Sequence, residues 1–447
     1  MTRVRRPPTS PAQVIALSFL VMIAVGALVL ALPVAHAPGQ HVGLLDALFT
    51  ATSAVCVTGL AVVDTGSAYS RFGQVVIMLL FQLGGIGLLT LGTFLAFATG
   101  RRVGFSERIR LQAQINTLET GGILNLLRAI ILLVLSSELL GTALLYIPFA
   151  RLEGWGEGLF YALFHSISAF NNAGFSLYAD SLTRFVTDPL VNFTIMALII
   201  LGGLGFVVIT ELLARLRPRW RRPLSLHTRL VLTITLFLLA SATVIIFLLE
   251  FANPATLGAL ELPGKLLASL FQAVTPRTAG FNTLDYASME PATLLFTTLL
   301  MFIGGNPGST AGGIKTVTFF VLVASIWSVV RRRGELELYG RRMTQNTVVR
   351  AGVIAFSGLL LAGGALTLLT ISERDTDLML LLFETASAFG TAGLSLGITG
   401  DLSVLGKCVM IGLMYLGRIG LLTFALALVA EHSAGDIRHP AEDVVIG

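Results

Sequence analysis

Along the chain, near-continuous apolar runs alternate with shorter stretches in which polar and apolar positions mix. The long runs fall near residues 14 to 34, 72 to 98, 123 to 149, 189 to 214, 227 to 251, 291 to 330, 349 to 371 and 402 to 430. A helix needs about 20 apolar residues to cross roughly 30 Å of hydrocarbon, so each run predicts a transmembrane helix. Between the members of each successive pair lies a semi-polar amphipathic stretch, at 45 to 55, 158 to 169, 263 to 274 and 378 to 388. At about 15 Å long, such a helix enters the membrane without crossing it. The pattern is four units of helix, short re-entrant helix and helix.

The segments that end the short helices align without gaps. They read Ser53-Ala54-Val55-Cys56-Val57-Thr58-Gly59-Leu60, Ser168-Ala169-Phe170-Asn171-Asn172-Ala173-Gly174-Phe175, Val274-Thr275-Pro276-Arg277-Thr278-Ala279-Gly280-Phe281 and Ser387-Ala388-Phe389-Gly390-Thr391-Ala392-Gly393-Leu394. A small residue precedes the glycine in each, and Leu or Phe follows it. Gly59, Gly174, Gly280 and Gly393 recur at intervals of 106 to 115 residues. A second echo lies in the later helices: Leu83-Gly84-Gly85-Ile86-Gly87, Leu201-Gly202-Gly203-Leu204-Gly205, Ile303-Gly304-Gly305-Asn306-Pro307 and Leu416-Gly417-Arg418-Ile419-Gly420. Two registers agreeing in one alignment make a fourfold internal repeat, expected at 1–110, 111–222, 223–342 and 343–447.

Composition places these helices in lipid. Of 447 residues 55% are hydrophobic and 12% charged, with a mean hydropathy of +0.84, where a soluble domain carries about 25% charge. The net charge of +5 comes from cationic clusters beside apolar runs: Arg3, Arg5 and Arg6; Arg101, Arg102, Arg108 and Arg110; residues 215 to 222; Arg331 to Arg333 with Arg341 and Arg342; and, more weakly, Arg438. That placement reads as membrane topology rather than nucleic-acid binding. Loops such as 36 to 46 and 253 to 264 hold almost no Lys or Arg, so both termini and the linkers between units are expected in the cytoplasm. The fold class expected is an all-α integral membrane protein, with eight transmembrane helices and four re-entrant helices in parallel repeats around a central pore. The N-terminal arginines, the first run and Ala35-His36-Ala37 also resemble a signal peptide. That run, however, exceeds a signal core of about 7 to 15 residues and supplies the first helix of the repeat. Cys56 and Cys408 have no partner at metal-ligand spacing, so neither a disulfide nor a metal site is expected.

Non-helical backbone survives at membrane depth only where protein or a water-filled path satisfies its polar groups, and four parallel segments meeting on an axis supply such a path. Short helices descending from outside bring partial negative charge to the membrane centre, which favours a cation. The residues after them can turn carbonyl oxygens inward in place of a hydration shell. Glycine suits that position because it accepts φ > 0 and lets consecutive carbonyls face one side. No ring of Asp or Glu occupies the segments, which suits a large monovalent ion better than calcium. One such glycine alone would more often serve a turn or close helix packing; four in register point to a pore. The candidate ion-binding residues are Val57, Thr58, Gly59, Asn172, Ala173, Gly174, Thr278, Ala279, Gly280, Thr391, Ala392 and Gly393.

These residues resemble the Trk/Ktr/HKT superfamily of potassium transporters, which has four such repeats and one filter glycine per repeat, and the resemblance covers essentially the whole chain. It is expected to be closest to the Ktr membrane subunit, because the chain begins directly with the first repeat and because Thr52 to Leu60, Gln82 to Gly87 and Gly304 to Thr316 look like that subfamily. The resemblance implies uptake of K+ across the cell membrane through a gated pore, with Na+ as a candidate coupling or activating ion and no bound cofactor. It also implies a homodimer seated on a cytoplasmic ring of nucleotide-binding regulatory subunits (KtrA-like). Gly59, where a sodium-selective plant branch has Ser, resembles the potassium-selective pattern. No segment reads Thr-Val-Gly-Tyr-Gly, so a short selective region is expected.

Residues Gly304, Gly305, Asn306, Pro307, Gly308, Ser309, Thr310, Ala311, Gly312 and Gly313 interrupt the 291 to 330 run. At about 1 kcal/mol per Gly and about 3 for Pro inside a helix, a break is expected, and its depth requires it to face the pore. The resemblance implies that this loop is an intramembrane gate beneath the glycines. Gly308 to Thr316 mimics a phosphate-binding loop, but Ile314 separates Gly313 from Lys315 and no strand precedes it. Arg418 lies in the corresponding region of unit four, where the other units have Ile86, Leu204 and Asn306, and is expected to raise a positive barrier below the glycines. Lys315 either anchors the loop or snorkels to the cytoplasmic surface. Glu138 either pairs with a polar neighbour or touches the path, and Glu384 is a candidate for enriching cations in the outer vestibule. An alternating-access carrier can also use repeats and broken helices, but four re-entrant units pointing the same way favour a pore. No Asp dyad, His/Glu pair or Ser-His constellation appears at membrane depth, so no catalytic residue is expected.

Overall fold

The computed structural model describes residues 11–87, 123–215, 223–331 and 336–420. The cationic clusters expected at the N-terminus, at 101 to 110, at 216 to 222, at 332 to 333 and near 438 lie outside the described residues, as do residues 88 to 98 and 421 to 430 of two apolar runs. Unit one holds α1 (Pro11–Leu30), α2 (Leu44–Val55) and α3 (Arg71–Ile86). Unit two holds α4 (Ile123–Glu153), α5 (Trp155–Phe170), α6 (Pro189–Leu204) and α7 (Phe206–Arg215). Unit three holds α8 (Leu226–Glu250), α9 (Leu262–Val274), α10 (Pro291–Phe302) and α11 (Thr316–Val330). Unit four holds α12 (Gln345–Ser372), α13 (Leu378–Gly390) and α14 (Val404–Ile419). A two-residue antiparallel hairpin, β1 (Glu337–Leu338) against β2 (Arg341–Arg342), joins units three and four.

The helices that open each unit, α1, α4, α8 and α12, are long and apolar enough to cross a membrane, yet protein buries only 17 to 39% of each span. Their open faces carry residues such as Leu17, Leu236, Phe237, Leu359 and Leu360. In water these would form a large exposed apolar surface; in hydrocarbon they are solvated. The short helices are the reverse case. Their C-terminal halves are buried, polar residues included, with Ser53, Ser168, Ser269 and Ser387 sealed from solvent. Each short helix packs on the opening helix of its own unit, and the later helix of each unit packs on the short helix of the next: α3 on α5, α6 on α9, α10 on α13 and α14 on α2. That cyclic order closes a ring with the short helices inside.

The later helices depart from the sequence prediction. The pattern predicts unbroken helices through 72 to 98, 189 to 214 and 402 to 430, with a break in unit three alone. Instead α3, α6 and α14 stop at Gly87, Gly205 and Gly420, whose φ values are +89°, +98° and +87°. A right-handed helix does not continue through a left-handed residue, and glycine takes that conformation at little cost. At Gly205 the chain turns by 102° between α6 and α7. By length and composition, four helices therefore span unaided among the described residues, and α6 with α7 is a bent fifth.

Candidate functional site

The four glycines predicted from the repeat meet. Their φ values are +93° at Gly59, +71° at Gly174, +78° at Gly280 and +81° at Gly393. A Cβ placed on Gly59 would lie 2.6 Å from the carbonyl oxygen of Ala173, on Gly174 2.9 Å from that of Ala279, on Gly280 3.0 Å from that of Ala392, and on Gly393 2.1 Å from that of Thr58. The contacts run from unit one to two, two to three, three to four and four to one. Thr58, Ala173, Ala279 and Ala392 thus close a ring of carbonyls with no room for side chains between neighbouring segments. Val57, Asn172, Thr278 and Thr391, each two residues before a glycine, are also left-handed, with φ values of +57°, +58°, +70° and +51°. For the β-branched Val and Thr this costs on the order of 1 to 3 kcal/mol each. The sequence pattern predicts left-handed backbone at glycine only; the structure doubles it in every unit.

Hydroxyl groups hold this backbone from behind. Ser168 Oγ donates to the Phe175 carbonyl at 2.8 Å, Thr275 Oγ1 donates to the Phe281 carbonyl at 2.5 Å, and Ser53 Oγ accepts from the Gly59 N–H at 3.1 Å. In units one, two and four the N–H before the glycine reaches back five residues, from Thr58 to Ser53, Ala173 to Ser168 and Ala392 to Ser387, each at 2.8 Å. In unit three Ala279 reaches back four, to Thr275 at 2.9 Å. Thr275, rather than Val274, is therefore the counterpart of Ser53, Ser168 and Ser387, and unit three reaches its glycine one residue sooner than the gapless alignment has it.

Both acidic candidates lie behind the ring. Glu138 on α4 is buried and accepts from Gln82 Nε2 at 3.1 Å and from Asn171 Nδ2 at 3.2 Å, while Asn171 also donates to Gln82 Oε1 at 2.5 Å. It pairs with polar neighbours and does not line the ring. Glu384 is 0% exposed, which corrects its expected place in the vestibule. Its carboxylate accepts from Ser395 Oγ, from the Leu396 N–H at 3.2 Å and from Thr399 Oγ1 at 3.0 Å, and so staples the loop that follows Gly393.

Past the glycines the chain opens into a cavity of about 900 Å³, walled by Gly59, Gly174, Gly280 and Gly393 together with Asp64, Asp180 and others. Before them, against the ends of the short helices, lies the loop from Gly304 to Gly313. Asn306 reaches the Gly203 carbonyl through its backbone N–H at 3.2 Å and through Nδ2 at 3.0 Å. Thr310 N–H donates to Gly202 O at 3.2 Å, Gly313 N–H to Gly417 O at 3.2 Å, and Phe206 N–H to Gly308 O at 2.9 Å. Gly202, Gly203 and Gly417 carry carbonyls that a helix leaves unpaired in its last turn, so the loop and the helix breaks satisfy each other.

Arg418 occupies the register of Gly85, Gly203 and Gly305, one position before that of Ile86, Leu204 and Asn306 with which the sequence comparison set it. Its guanidinium donates to Thr310 O on the loop, and to Gly84 O at 2.5 Å and Gly85 O at 3.3 Å at the end of α3. Lys315 does not snorkel away: its Nζ folds back on Ala311 O at 2.6 Å and Gly312 O at 3.5 Å. The partners of Arg418 are backbone atoms of units one and three, which no side-chain pattern reveals.

The TrkH family, described as cation transport protein, matches residues 10–439. The chain is 44% identical to Ktr system potassium uptake protein B of Bacillus subtilis over 98% of this chain and 97% of the relative. It is 37% identical to the potassium/sodium uptake protein NtpJ of Enterococcus hirae over 99% and 98%. The crystal structure of the potassium transporter TrkH from Vibrio parahaemolyticus matches with a TM-score of 0.75, covering 96% of this chain and 86% of that one, and at 20% identity this shows a shared fold. A fourfold helix, re-entrant helix and helix frame, matched along nearly its whole length, makes this chain a member of the TrkH family of cation transport proteins.

Proposed function

We propose that the chain is the membrane subunit of a Ktr-type potassium uptake system, passing K+ through the ring of Gly59, Gly174, Gly280 and Gly393, with the loop from Gly304 to Gly313 as its gate. One observation carries this reading: four repeated segments touch in cyclic order, each left-handed at its glycine and two residues before it. Carbonyls so arranged replace the water around a bare monovalent cation, and the helix ends beside them add partial negative charge. Potassium as the ion is supported by relatives, two of them named Ktr system potassium uptake protein B. The name of a third includes sodium, which supports Na+ as a second ion. In this reading Arg418 and Lys315 hold the gate loop in place.

The division into units at 1–110, 111–222, 223–342 and 343–447, cytoplasmic termini, a homodimer and a cytoplasmic nucleotide-binding ring belong to the same proposal. They rest on the charge pattern and on the family. The test is potassium-limited growth of cells lacking their own uptake systems, with the chain expressed alone and with its regulatory partner. Rescue is expected, together with a shift of preference towards Na+ in Gly59→Ser. Absence of rescue by protein present in the membrane overturns the function, and unchanged K+ preference in Gly59→Ser overturns the glycine ring.

A further inference from the structure

We infer that Arg277 is a positioning residue that ties the glycine ring to the intramembrane loop through the hydroxyl of Thr235. Arg277 immediately precedes Thr278, one of the strained left-handed residues, and is 9% exposed. Its Nη2 donates to Thr235 Oγ1 on α8 at 3.5 Å, the long end of hydrogen bonding, and its Nε has no hydrogen-bond partner among the described residues. From the other side Asn306, on the loop, donates through Nδ2 to the same Thr235 Oγ1 at 3.2 Å. Arg277, Thr235 and Asn306 line one cavity of about 10 Å³, the size of a single water.

The position three residues before each glycine shows what is particular to unit three. It holds Cys56, Asn171, Arg277 and Gly390. Asn171 ties its segment to Gln82 at the end of α3, so in unit two this position docks the ring on the later helix of the preceding unit. In unit four Gly390 has no side chain, and its carbonyl oxygen would come within 3.1 Å of a Cβ on Gly313, so the loop passes there against bare backbone. Only in unit three does a charged side chain occupy the position, and its tie leads to the loop. A buried guanidinium that pairs with no carboxylate among the described residues is expensive. Its rigid fork suits a place where orientation has to be held. Displacing the loop takes Asn306 from Thr235 and frees that hydroxyl to turn towards Arg277, which shifts the backbone at Thr278. Loop position and ring geometry are thus linked.

This inference rests on the proposed ion pathway, and the experiment separates the two. Rubidium tracer uptake, with and without competing Na+, is measured for the full chain and its regulatory partner in cells lacking their own uptake systems. Thr235→Val keeps the volume and removes the shared acceptor; it is expected to lower K+ over Na+ discrimination and to change the maximal rate together, each by roughly fivefold. Thr235→Ser, which keeps the hydroxyl, restores both. Arg277→Gln alone lowers discrimination to the same degree and adds nothing in the Thr235→Val background. The tie is overturned if Thr235→Val stays within about twofold of the parent while Gly280→Ala loses discrimination, or if the two changes multiply in the double variant. Should Gly280→Ala also leave discrimination intact, the pathway fails and the tie with it. Where Arg277→Gln does not reach the membrane, the Thr235→Val and Thr235→Ser pair decides alone.

Discussion

Alanine at Gly393 and alanine at Gly397 separate backbone strain from crowding of the ring. Both glycines are left-handed, with φ of +81° and +93°. Either alanine therefore bears on the order of 1 to 2 kcal/mol of strain. At Gly397 the added methyl meets nothing within 4 Å, whereas at Gly393 it lands 2.1 Å from Thr58 O and 3.1 Å from the Gly280 Cα. Non-bonded atoms rest at roughly 3.5 Å, so Gly393→Ala overlaps unit one by about 1.4 Å. A binding constellation tolerates displacements of about 0.5 Å, so the ring has to open or shift beyond its working range. Initial rates of rubidium uptake and melting temperature in detergent are the two readouts. Both variants should melt lower, Gly393→Ala further because it bears the overlap as well as the strain; Gly393→Ala should lose at least about tenfold in uptake and Gly397→Ala less than about twofold. The loss should also be graded, steepest for Gly393→Ala at 2.1 Å and smaller for Gly59→Ala and Gly280→Ala, whose Cβ atoms come no closer than 2.6 Å and 2.8 Å to the neighbouring backbone. Equal loss of uptake at Gly393 and Gly397, or normal uptake by Gly393→Ala, would refute the crowded ring.

Arg418→Met removes the donors that join Thr310 on the loop to Gly84 and Gly85, so uptake without the regulatory partner should rise about threefold or more, and an unchanged rate would deny that Arg418 restrains the loop. Glu384→Ala leaves the donors of Ser395, Leu396 and Thr399 buried without their acceptor; a loss of roughly 2 to 4 kcal/mol should appear as a lower melting temperature, with Glu384→Gln recovering part of it. Glu373 lies just past α12, where partial burial would raise its carboxyl but hydrogen bonds from Ser403 and Ser372 hold it below the ordinary value. A depressed folded-state value gives stability that is complete above the usual carboxylate range, near pH 4.3, and disappears as pH falls through the lower folded value. The melting-temperature gap between the parent and Glu373→Gln should therefore persist from neutrality to about pH 4 and close below it.

The helices and their fourfold order were legible because lipid demands long apolar runs, and a run of that length has few alternatives. The closed ring was not, since contacts such as Gly393 with Thr58 join residues from opposite ends of the chain. Breaks at Gly87, Gly205 and Gly420 stood in plain view as an echo, but glycine is common in membrane helices and marks a break only when φ is known. Left-handed Val57, Thr278 and Thr391 run against local preference; only packing from all four units can impose them. The one-residue offset of unit three shows itself only through the bonds of Thr275, since Val274 holds the same place in the gapless register. Glu384 misled because a carboxylate near a cavity looks the same in sequence whether it faces water or three donors.

The loop belongs to unit three and reaches Thr235 there, yet most of its partners are in the other units: Phe170, Gly202, Gly203 and Phe206 in unit two, Gly417 and Arg418 in unit four and, through Arg418, Gly84 and Gly85 in unit one. Moving it aside breaks seven hydrogen bonds between the loop and units two and four. In a dry interior each such bond is worth about 4 to 6 kcal/mol, which sets the barrier at roughly 28 to 42 kcal/mol and locks the loop in place. If water takes over the freed carbonyls the net cost is nearer 1 kcal/mol each, roughly 7 kcal/mol in all, within reach of the binding energy of a partner protein. The loop can therefore leave the ring only when water follows it. Freed, the carbonyls of Gly202, Gly203 and Gly417 line the space it vacates, at the ends of helices whose dipoles favour a cation there. In the proposed gating, displacement of the loop and hydration of the path are a single event, and Gly202, Gly203 and Gly417, which lie just before the breaks at Gly205 and Gly420, supply the surface on which it happens.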